Sequence, residues 1–530
     1  MIESPLFGYI LLAIFHLGLG VLLLGGQLRG LADPRAGKKE GVPWLRVLIW
    51  ILGTWPIIWT MMIPRNLVLE EVINALGMDI EIEAVGPILE QGLLDQVGQL
   101  SVLILLSGSA LLLMQALQKG FPRPGHDLWL AYLGYASGSV LSSIFGDPGG
   151  GFDDYLFRPM VVFTLLYFSI NLTPERLVPG AKGICLFFVV GSVLTPLINP
   201  SWALLVDPTA TIGPLTTRLF GLSSNANGLG PVAVLFLYLD WIFPYRSKTL
   251  RWVGRTVAMV AMVWAQSKTV LGAFAVGIAL KLLFDENRES RLSPGVSVLF
   301  RVGLISMSLV VVSILSFSGD SLGDKSGEIT FTGRTEIWAI TWQTFLERPW
   351  IGYGPTMWDA HFRALYYEEA RTYAAHAHNM FLQVMGEAGV YGLATYLIFL
   401  VTLLKVMWRS RLVSSGWSIA FVSVALVRTF TESSLRNLSI NEGTFFNMMV
   451  FGLLIYWEKK RLAVAPVPSP GGGERRRSRV PDWRFPPVGT LSPEGGRAPA
   501  WGGAVGSARG GRRVSPASPA TGNSPRRPFS

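Results

Sequence analysis

The chain has 530 residues, of which 50% are hydrophobic and only 15% are charged, and its mean hydropathy is +0.42. This composition excludes an ordinary soluble globular protein and predicts an integral membrane protein. The formal net charge of +10 does not indicate a nucleic-acid partner, because eleven Arg and three acidic residues in the segment 462–530 account for +8 of it.

The predicted elements are apolar segments that reach or approach the roughly 20 residues needed to cross a bilayer core about 30 Å thick. Thirteen occur, at about 7–26, 44–63, 98–118, 128–146, 155–172, 182–203, 226–245, 252–266, 268–284, 298–317, 379–404, 415–431 and 442–457. The first is expected to be a retained span, because Glu3 stands where a signal peptide needs positive charge. Cys185, the single cysteine, lies in the sixth segment, so neither an intrachain disulfide nor a thiolate metal site is expected.

The positions of Lys and Arg predict the orientation of these segments. Basic residues in short connections favour the cytoplasmic side of a membrane, and every second connection of this chain is basic. The other connections are sparse in Lys and Arg or are acidic. We therefore predict an all-α, polytopic membrane protein of thirteen helices, with the N-terminus outside and the C-terminus in the cytoplasm. Twelve helices is the alternative, if residues 252–284 are wrongly divided or the first helix lies in the interface.

Two long segments stand apart from the predicted helices. Residues 318–377 form the longest connection, and the predicted orientation puts this loop on the outer, periplasmic face. Residues 462–530 are rich in Pro, Gly, Ser and Arg, and they cannot bury enough apolar surface to offset their ordering entropy. We predict a membrane domain at 1–461 and a disordered cytoplasmic tail at 462–530. The tail either contacts anionic lipid headgroups through Arg475–Arg477 or is simply solvated.

Four basic residues lie on or near the predicted outer side: Arg218, Lys268, Arg334 and His378. A charge without a partner is costly in lipid, so each needs a physical reason to be there. Guanidinium groups bind phosphate in a bidentate manner and lysine adds a point charge, while a helix that starts at His378 adds its positive dipole end. Histidine is also a common general acid or base. Together these groups suit an anionic ligand and the departure of a diphosphate.

Each of these residues also has a structural alternative. Arg218 taken alone is more typical of a headgroup anchor, and His378 is equally typical of a helix cap. His376 and His378 form a His-x-His pair, but no third ligand stands at a fixed spacing and a metal site needs three or four, so no metal is expected. Glu336 and Glu347 would act as a carboxylate pair only in a geometry that a sequence does not define.

The order of the motifs from Arg218 to about Tyr456 resembles that of the bacterial O-antigen ligase and O-antigen polymerase family, including exopolysaccharide polymerase-like members. The family-like part covers about 205–457. The motifs are Arg218-x-x-Gly221 followed by Asn225 and Asn227, Gln266-Ser267-Lys268-Thr269, Gly333-Arg334-Thr335-x-x-Trp338, Arg348-Pro349-x-x-Gly352-x-Gly354, and His378-Asn379 followed by Glu387-x-Gly389-x-x-Gly392. The last two are the most specific. Two positions depart from the family: Ala226-Asn227 replaces a frequent Pro-Asn, and Lys268 replaces a frequent arginine.

The resemblance implies a glycosyltransferase of the bacterial plasma (inner) membrane. Such an enzyme moves a glycan from a polyprenyl-diphosphate carrier, such as undecaprenyl diphosphate, to an acceptor hydroxyl at the outer face, without metal or other cofactor. Arg218, Lys268 and Arg334 are expected to hold the diphosphate, and His378 is expected to act on the acceptor. The supporting residues are expected to be Asn227, Trp338, Asn379 and Glu387. The expected partners are the lipid-linked glycan donor, a glycan or lipid-core acceptor and membrane lipids.

The acceptor and one non-enzymatic alternative stay open at this stage. Ligases use a lipid-core sugar, polymerases use another carrier-linked repeat, and some relatives glycosylate protein; the sequence also does not define an oligomeric state. A transporter or flippase of lipid-linked oligosaccharide would need membrane-embedded cations as well. Such a protein is expected to place them at the midplane or on both sides and to contain inverted repeats. Here the cations gather on one face and no repeat is found, which favours an enzyme.

Overall fold

A computed structural model shows the membrane domain as a bundle of α-helices. The structure describes residues 5–32, 43–62, 91–120, 123–146, 154–206, 216–285, 334–358, 362 and 376–464. Within these ranges the first seven helices are α1 (Pro5–Ala32), α2 (Trp44–Met62), α3 (Gln91–Lys119), α4 (His126–Phe145), α5 (Arg158–Leu172), α6 (Leu177–Ile198) and the short α7 (Pro200–Ala203). The other seven are α8 (Ala226–Ile242), α9 (Lys248–Trp264), α10 (Lys268–Leu283), α11 (Arg334–Glu347), α12 (Met380–Ser410), α13 (Trp417–Thr429) and α14 (Glu442–Val464).

The all-α polytopic prediction is confirmed. Twelve of the thirteen predicted segments overlap helices of the structure, and the tenth, 298–317, lies outside the described residues. Among the residues described, five helices are long and apolar enough to cross a membrane, at Trp44–Met62, Gln96–Gln118, His126–Phe145, Pro174–Ile198 and Met380–Ser410. Shorter apolar helices lie at Tyr9–Leu24, Arg158–Leu172, Ala226–Ile242 and Trp417–Thr429. The number of spans and their orientation stay predictions.

The predicted boundary between α9 and α10 is present, and the predicted loop and tail are described only in part. The two helices are separated by Ala265–Ser267, where Gln266 has a φ of 50°. The predicted loop 318–377 contains α11 and a 3₁₀ turn at Pro355–Trp358. Helix α14 continues to Val464, and the rest of the predicted tail lies outside the described residues.

An aromatic core joins α4, α5 and α12 and fixes the connection between α13 and α14. The Tyr132 ring on α4 lies 4.5 Å from Phe163 on α5, and Tyr135 stacks at 5.5 Å on Phe399 of α12. The Tyr135 hydroxyl donates to the Leu435 carbonyl at 3.1 Å. Buried aromatic pairs contribute about 0.5–1.5 kcal/mol each beyond their area. The α13–α14 connection is therefore anchored to a tightly packed part of the bundle.

Helix α12 is interrupted at Gly389, and the interruption receives the loop that follows α11. Gly389 has a φ of 61° and a ψ of −154°, a conformation that favours glycine. The break frees the Val390 N–H, which donates to the Pro349 carbonyl at 2.7 Å, while the Gly354 N–H donates to the Glu387 carbonyl at 2.9 Å. The two most specific motifs of the sequence thus bind each other.

A two-stranded antiparallel hairpin precedes α8 and is the one strand element in the described part of the chain. Strand β1 (Leu204–Val206) pairs with β2 (Thr217–Leu219), and Leu205 lies opposite Arg218. These strands were not predicted from the sequence. The hairpin holds the backbone of Arg218 in an extended conformation close to the N-terminus of α8.

Candidate active site

A polar cavity of about 270 Å³ lies where several helix ends meet. It is formed by the N-termini of α8 and α14, the segment before α12, and the connection between α13 and α14. We call this region the polar end of the bundle. Hydroxyl, amide and charged side chains dominate its lining, among them Asn225, Asn227, His376, Arg428, Glu432 and Asn437. In an apolar protein such a cavity is the natural candidate for a binding site.

Two asparagines start the helices that frame the polar end. Asn225 accepts a hydrogen bond from the Gly228 N–H at 2.8 Å at the start of α8. Asn379 accepts from the N–H groups of Phe381 and Leu382 at 3.0 and 3.2 Å at the start of α12. These are standard N-cap contacts. Asn379 rather than His378 is therefore the helix cap, and the predicted supporting residue Asn379 fixes the position of the histidine before it.

His378 occupies an unusual backbone conformation. Its φ is 49°, in the left-handed region that residues other than glycine seldom adopt. Strained conformations of this kind occur where surrounding contacts over-determine the backbone, often at functional sites. The conformation directs the His378 ring to the α13–α14 connection, where Nδ1 lies 3.3 Å from Glu432 Oε2.

A series of polar contacts joins the hairpin to this histidine. Arg218 donates through Nη2 to Asn227 Oδ1 at 3.3 Å, and Asn227 donates through Nδ2 to Glu432 Oε1 at 3.0 Å. The other oxygen of Glu432 faces His378 Nδ1, within ion-pair distance but without hydrogen-bond alignment. Catalytic hydrogen bonds are often loose in the absence of substrate. The structure thus brings Arg218, Asn227 and His378 together.

Glu432 is the central residue of this series, and it was not predicted from the sequence. It lies in the Thr431-Glu432-Ser433-Ser434 stretch, directly after α13. An acidic residue between two apolar segments near the C-terminal end of the domain was the available signal. The candidate binding and catalytic residues predicted from the sequence were basic, because they were expected to bind an anionic ligand. The Glu432 carboxylate was therefore not among them.

His376 supplies a further group beside the His378–Glu432 pair. The two histidine rings lie 3.9 Å apart between centroids, and ligand atoms of His376, His378 and Glu432 lie within 4.8 Å of one another. Glu432 is thus the third possible metal ligand that sequence spacing did not provide. However, His376 Nδ1 accepts the His378 N–H at 3.2 Å. In a neutral ring the proton is then on Nε2, so Nε2 is not a metal ligand. It lies 3.9 Å from Glu432 Oε2, beyond hydrogen-bond distance.

The predicted Lys268 turn lies beside Arg218. Gln266 Nε2 donates to the Thr217 carbonyl at 2.8 Å, and Arg218 Nε donates to the Ala265 carbonyl at 3.4 Å. Lys268 is the half-buried first residue of α10. Arg334 is the first residue of α11, and its side chain lies outside the described residues. The structure therefore connects the Lys268 turn to the site, and the role of Arg334 stays a prediction.

Glu387 and Trp338 lie behind the site and hold the segment before α12. Glu387 is buried, forms an ion pair with Arg436 and accepts from Gln383 Nε2 at 2.9 Å. Gln383 Oε1 in turn accepts the Ala377 N–H at 2.6 Å, and Trp338 Nε1 donates to the Ala377 carbonyl at 2.9 Å. Neither Glu387 nor Trp338 lines the cavity. Their contacts fix the residue immediately before His378.

Comparison with known protein families finds a match in the region of the chain that contains much of the candidate site. A family model described as O-Antigen ligase matches residues 215–397, a range that contains the four predicted site cations and ends before Glu432. A comparison with curated proteins found no match. The family implies a lipid-linked glycan donor and a glycan acceptor in general terms. Together with the apolar helices, the match indicates a multi-pass membrane protein with ligase or polymerase-type, glycosyltransferase-like activity. Residues 215–397 thus correspond to an O-antigen ligase domain, and this supports the O-antigen ligase/polymerase family for the chain.

Proposed function

We propose that this protein transfers a glycan from a polyprenyl-diphosphate carrier to an acceptor hydroxyl at the outer face of the plasma membrane. The observation that supports this proposal is the series of contacts from Arg218 through Asn227 and Glu432 to His378. At one end is a guanidinium group suited to phosphate. At the other end is an imidazole suited to accept a proton from a hydroxyl group.

In the proposed reaction His378 is the general base. Its Nδ1 faces Glu432, which leaves Nε2 for the acceptor. Nε2 takes the proton of the acceptor hydroxyl, the acceptor oxygen forms a bond to the anomeric carbon of the glycan, and the bond from that carbon to the diphosphate oxygen breaks. The products are the extended acceptor and the carrier diphosphate. Glu432 orients the ring and stabilises the imidazolium, as carboxylates beside catalytic histidines do.

The cations stabilise the leaving group in this proposal. Arg218, Lys268 and Arg334 face the charge that accumulates on the diphosphate as the glycosidic bond breaks. Positioned cations in a water-poor site can lower such a barrier by about 3–4 kcal/mol for each contact. Asn227 holds the Arg218 guanidinium and thereby couples the leaving-group side of the site to the His378–Glu432 pair. The proposed steps require no metal and no cofactor.

The test compares glycolipids from cells that carry the native chain with those from cells that carry His378→Ala or Arg218→Ala, at matched levels in the membrane. Both variants should lose finished product and accumulate its precursor. Carrier-linked single repeats indicate a polymerase, whereas long carrier-linked chains indicate a ligase. His126→Ala, which alters an exposed histidine at the start of α4, serves as the control and should leave the products unchanged. Normal product in both site variants would exclude the assigned roles and favour a transporter.

A further inference from the structure

Arg428 is a buried cation that the proposed reaction does not use. It lies near the C-terminal end of α13 and is only 5% exposed. Its Nε and Nη1 atoms have no hydrogen-bond partner among the described residues, and the side chain lines the polar cavity. The ring of Phe446 lies 5.6 Å from its Cζ atom. A buried guanidinium group without acceptors is unfavourable, and a bound oxyanion would supply them.

The other charged residues of the cavity already have partners. Glu442 accepts through Oε1 from Ser223 Oγ and from the Ser224 N–H, at 2.9 and 2.7 Å. Glu432 contacts Asn227 and His378, as described above. Its backbone N–H donates to the Arg428 carbonyl at 2.8 Å, but its carboxylate attracts the Arg428 guanidinium without a hydrogen bond between the two side chains in the described structure. Arg436 pairs with Glu387. In the described part of the lining, Arg428 is thus the charged side chain that has neither a hydrogen bond nor an ion pair.

The chemistry of the lining indicates what kind of anion fits. Two arginines and two glutamates line the cavity, so their formal charges cancel. A diphosphate, with two or more negative charges, would be poorly matched by that balance. The hydroxyl and amide groups of Ser224, Ser433, Asn437, Ser439, Asn441 and Thr444 instead match a ligand with many hydroxyl groups. A volume of about 270 Å³ accommodates one monosaccharide.

We propose that the cavity is a subsite for a sugar residue that bears a carboxylate, such as a uronic acid, and that Arg428 binds this carboxylate. The inference rests on the proposed function, since it assigns an acidic sugar to the glycan that the enzyme binds. Charge-assisted hydrogen bonds from a buried guanidinium discriminate strongly against a neutral analogue. Glycans with an acidic residue at the position of this subsite are therefore the preferred substrates.

The experiment measures binding of methyl β-D-glucuronide and methyl β-D-glucoside to the full chain in lipid nanodiscs, by ligand-observed NMR. The two sugars differ only at C6, which is a carboxylate in the glucuronide and a hydroxymethyl group in the glucoside. The glucuronide should bind roughly tenfold or more tightly than the glucoside. Arg428→Met should abolish this preference by weakening the glucuronide alone. Equal binding of the two sugars to the native chain would overturn the proposal without need of any variant.

Two controls distinguish a sugar subsite from a purely structural arginine and from a binding site for the carrier. The unfolding temperature of the Arg428→Met variant without ligand should equal or exceed that of the native chain, because the variant removes a buried charge that has no partner. A lower unfolding temperature together with an unchanged sugar preference would assign Arg428 a purely structural role. Inorganic pyrophosphate should bind equally to both proteins, whereas a loss as large as that of the glucuronide would assign the cavity to the carrier. Because no transfer reaction is needed, this test succeeds or fails independently of the His378 experiment.

Discussion

The two ends of α8 both place charged groups in an apolar bundle, but they do so in different ways. Near the C-terminal end, Asp240 is completely buried between two cations, with Lys182 Nζ at 2.7 Å from one oxygen and Arg255 Nε at 2.7 Å from the other. The Tyr245 N–H adds a third hydrogen bond, to Oδ1. About 20 Å away at the N-terminal end, Asn227 joins a series that ends at His378 Nδ1, which has no aligned hydrogen-bond partner among the described residues.

The difference distinguishes structural charges from charges that are suited to a ligand. Around Asp240 both carboxylate oxygens are occupied by cations, so the cluster has little capacity to bind anything further. At the polar end, next to a cavity, two buried nitrogens of Arg428 have no acceptor in the described structure, and His378 Nδ1 has no aligned hydrogen bond. Buried polar groups are nearly always satisfied in native proteins. We therefore interpret the polar end as a binding site, in which a ligand supplies the missing hydrogen-bond partners.

The largest effect is expected when the His378–Glu432 pair at the polar end is broken. His378→Ala should reduce glycan transfer by about 10²–10⁴-fold, the usual contribution of a general base. Glu432→Gln should also reduce it, because the amide no longer stabilises the imidazolium. Residues that act as a unit are not additive, so the double variant should be about as active as His378→Ala. The measurement is the initial rate of transfer at saturating donor, for equal amounts of folded protein.

The outcome of this double-variant comparison can also contradict the pairing. If the two single losses multiply in the double variant, Glu432 acts independently of His378 and the proposed orientation of the ring is wrong. Unfolding temperatures provide the control. They should change little in any of the three proteins, because His378 and Glu432 are both partly accessible, with side-chain exposures of 29% and 14%.

The second prediction concerns the buried Asp240 cluster at the opposite end of α8. Asp240→Asn leaves the Lys182 and Arg255 cations without a counter-charge, and removal of one partner of a buried ion pair costs about 3–5 kcal/mol. The unfolding temperature in nanodiscs should fall clearly, while the transfer rate for each folded molecule is retained. Asp127→Asn is the control, since Asp127 pairs with Arg409 at side-chain exposures of 29% and 31% and such accessible pairs contribute about 0–1 kcal/mol. Equal shifts in both variants would remove the distinction between the two ends.

The third prediction concerns the interruption of α12 that positions the polar end. Gly389→Ala puts a side chain on a residue with positive φ, and its Cβ would lie 2.5 Å from the Trp350 carbonyl carbon. Backbone strain of this kind costs about 1–3 kcal/mol, and displacement of the loop should also slow transfer. Gly134→Ala is the control, because an added Cβ there has open space. A fully stable and active Gly389→Ala variant would show that the loop does not need to bind at the interruption.

The sequence predicted the helices, and it provided candidate cations for the site but not the groups that surround them. Helices of about 20 apolar residues produce a strong local signal, and the residues of each motif, around Arg218 or around His378, lie within a few positions of one another. Glu432, by contrast, is 54 positions beyond His378, and Arg428 falls inside the predicted apolar segment 415–431. Their proximity depends on how α12 and α13 pack, which no local pattern encodes. The binding of the loop that follows α11 to the interrupted α12 is non-local for the same reason.

The smallest expected effect is that of metal removal, which tests whether the His376 ring binds a metal ion. The hydrogen bond from the His378 N–H to His376 Nδ1 places the proton of a neutral His376 ring on Nε2, so that nitrogen has no lone pair for a metal ion and the two histidines and the carboxylate are not a ligand set. Dialysis of the purified protein against EDTA should leave the transfer rate unchanged, and added Mg²⁺, Mn²⁺ or Zn²⁺ should not raise it. The opposite result would be a transfer rate that falls with EDTA and that one added cation restores in the native chain but not in the His376→Gln variant. That result would make the His376–His378–Glu432 group a metal site. In that case the acceptor hydroxyl would be activated by the cation, and Glu432 would be its ligand rather than the partner of an imidazolium.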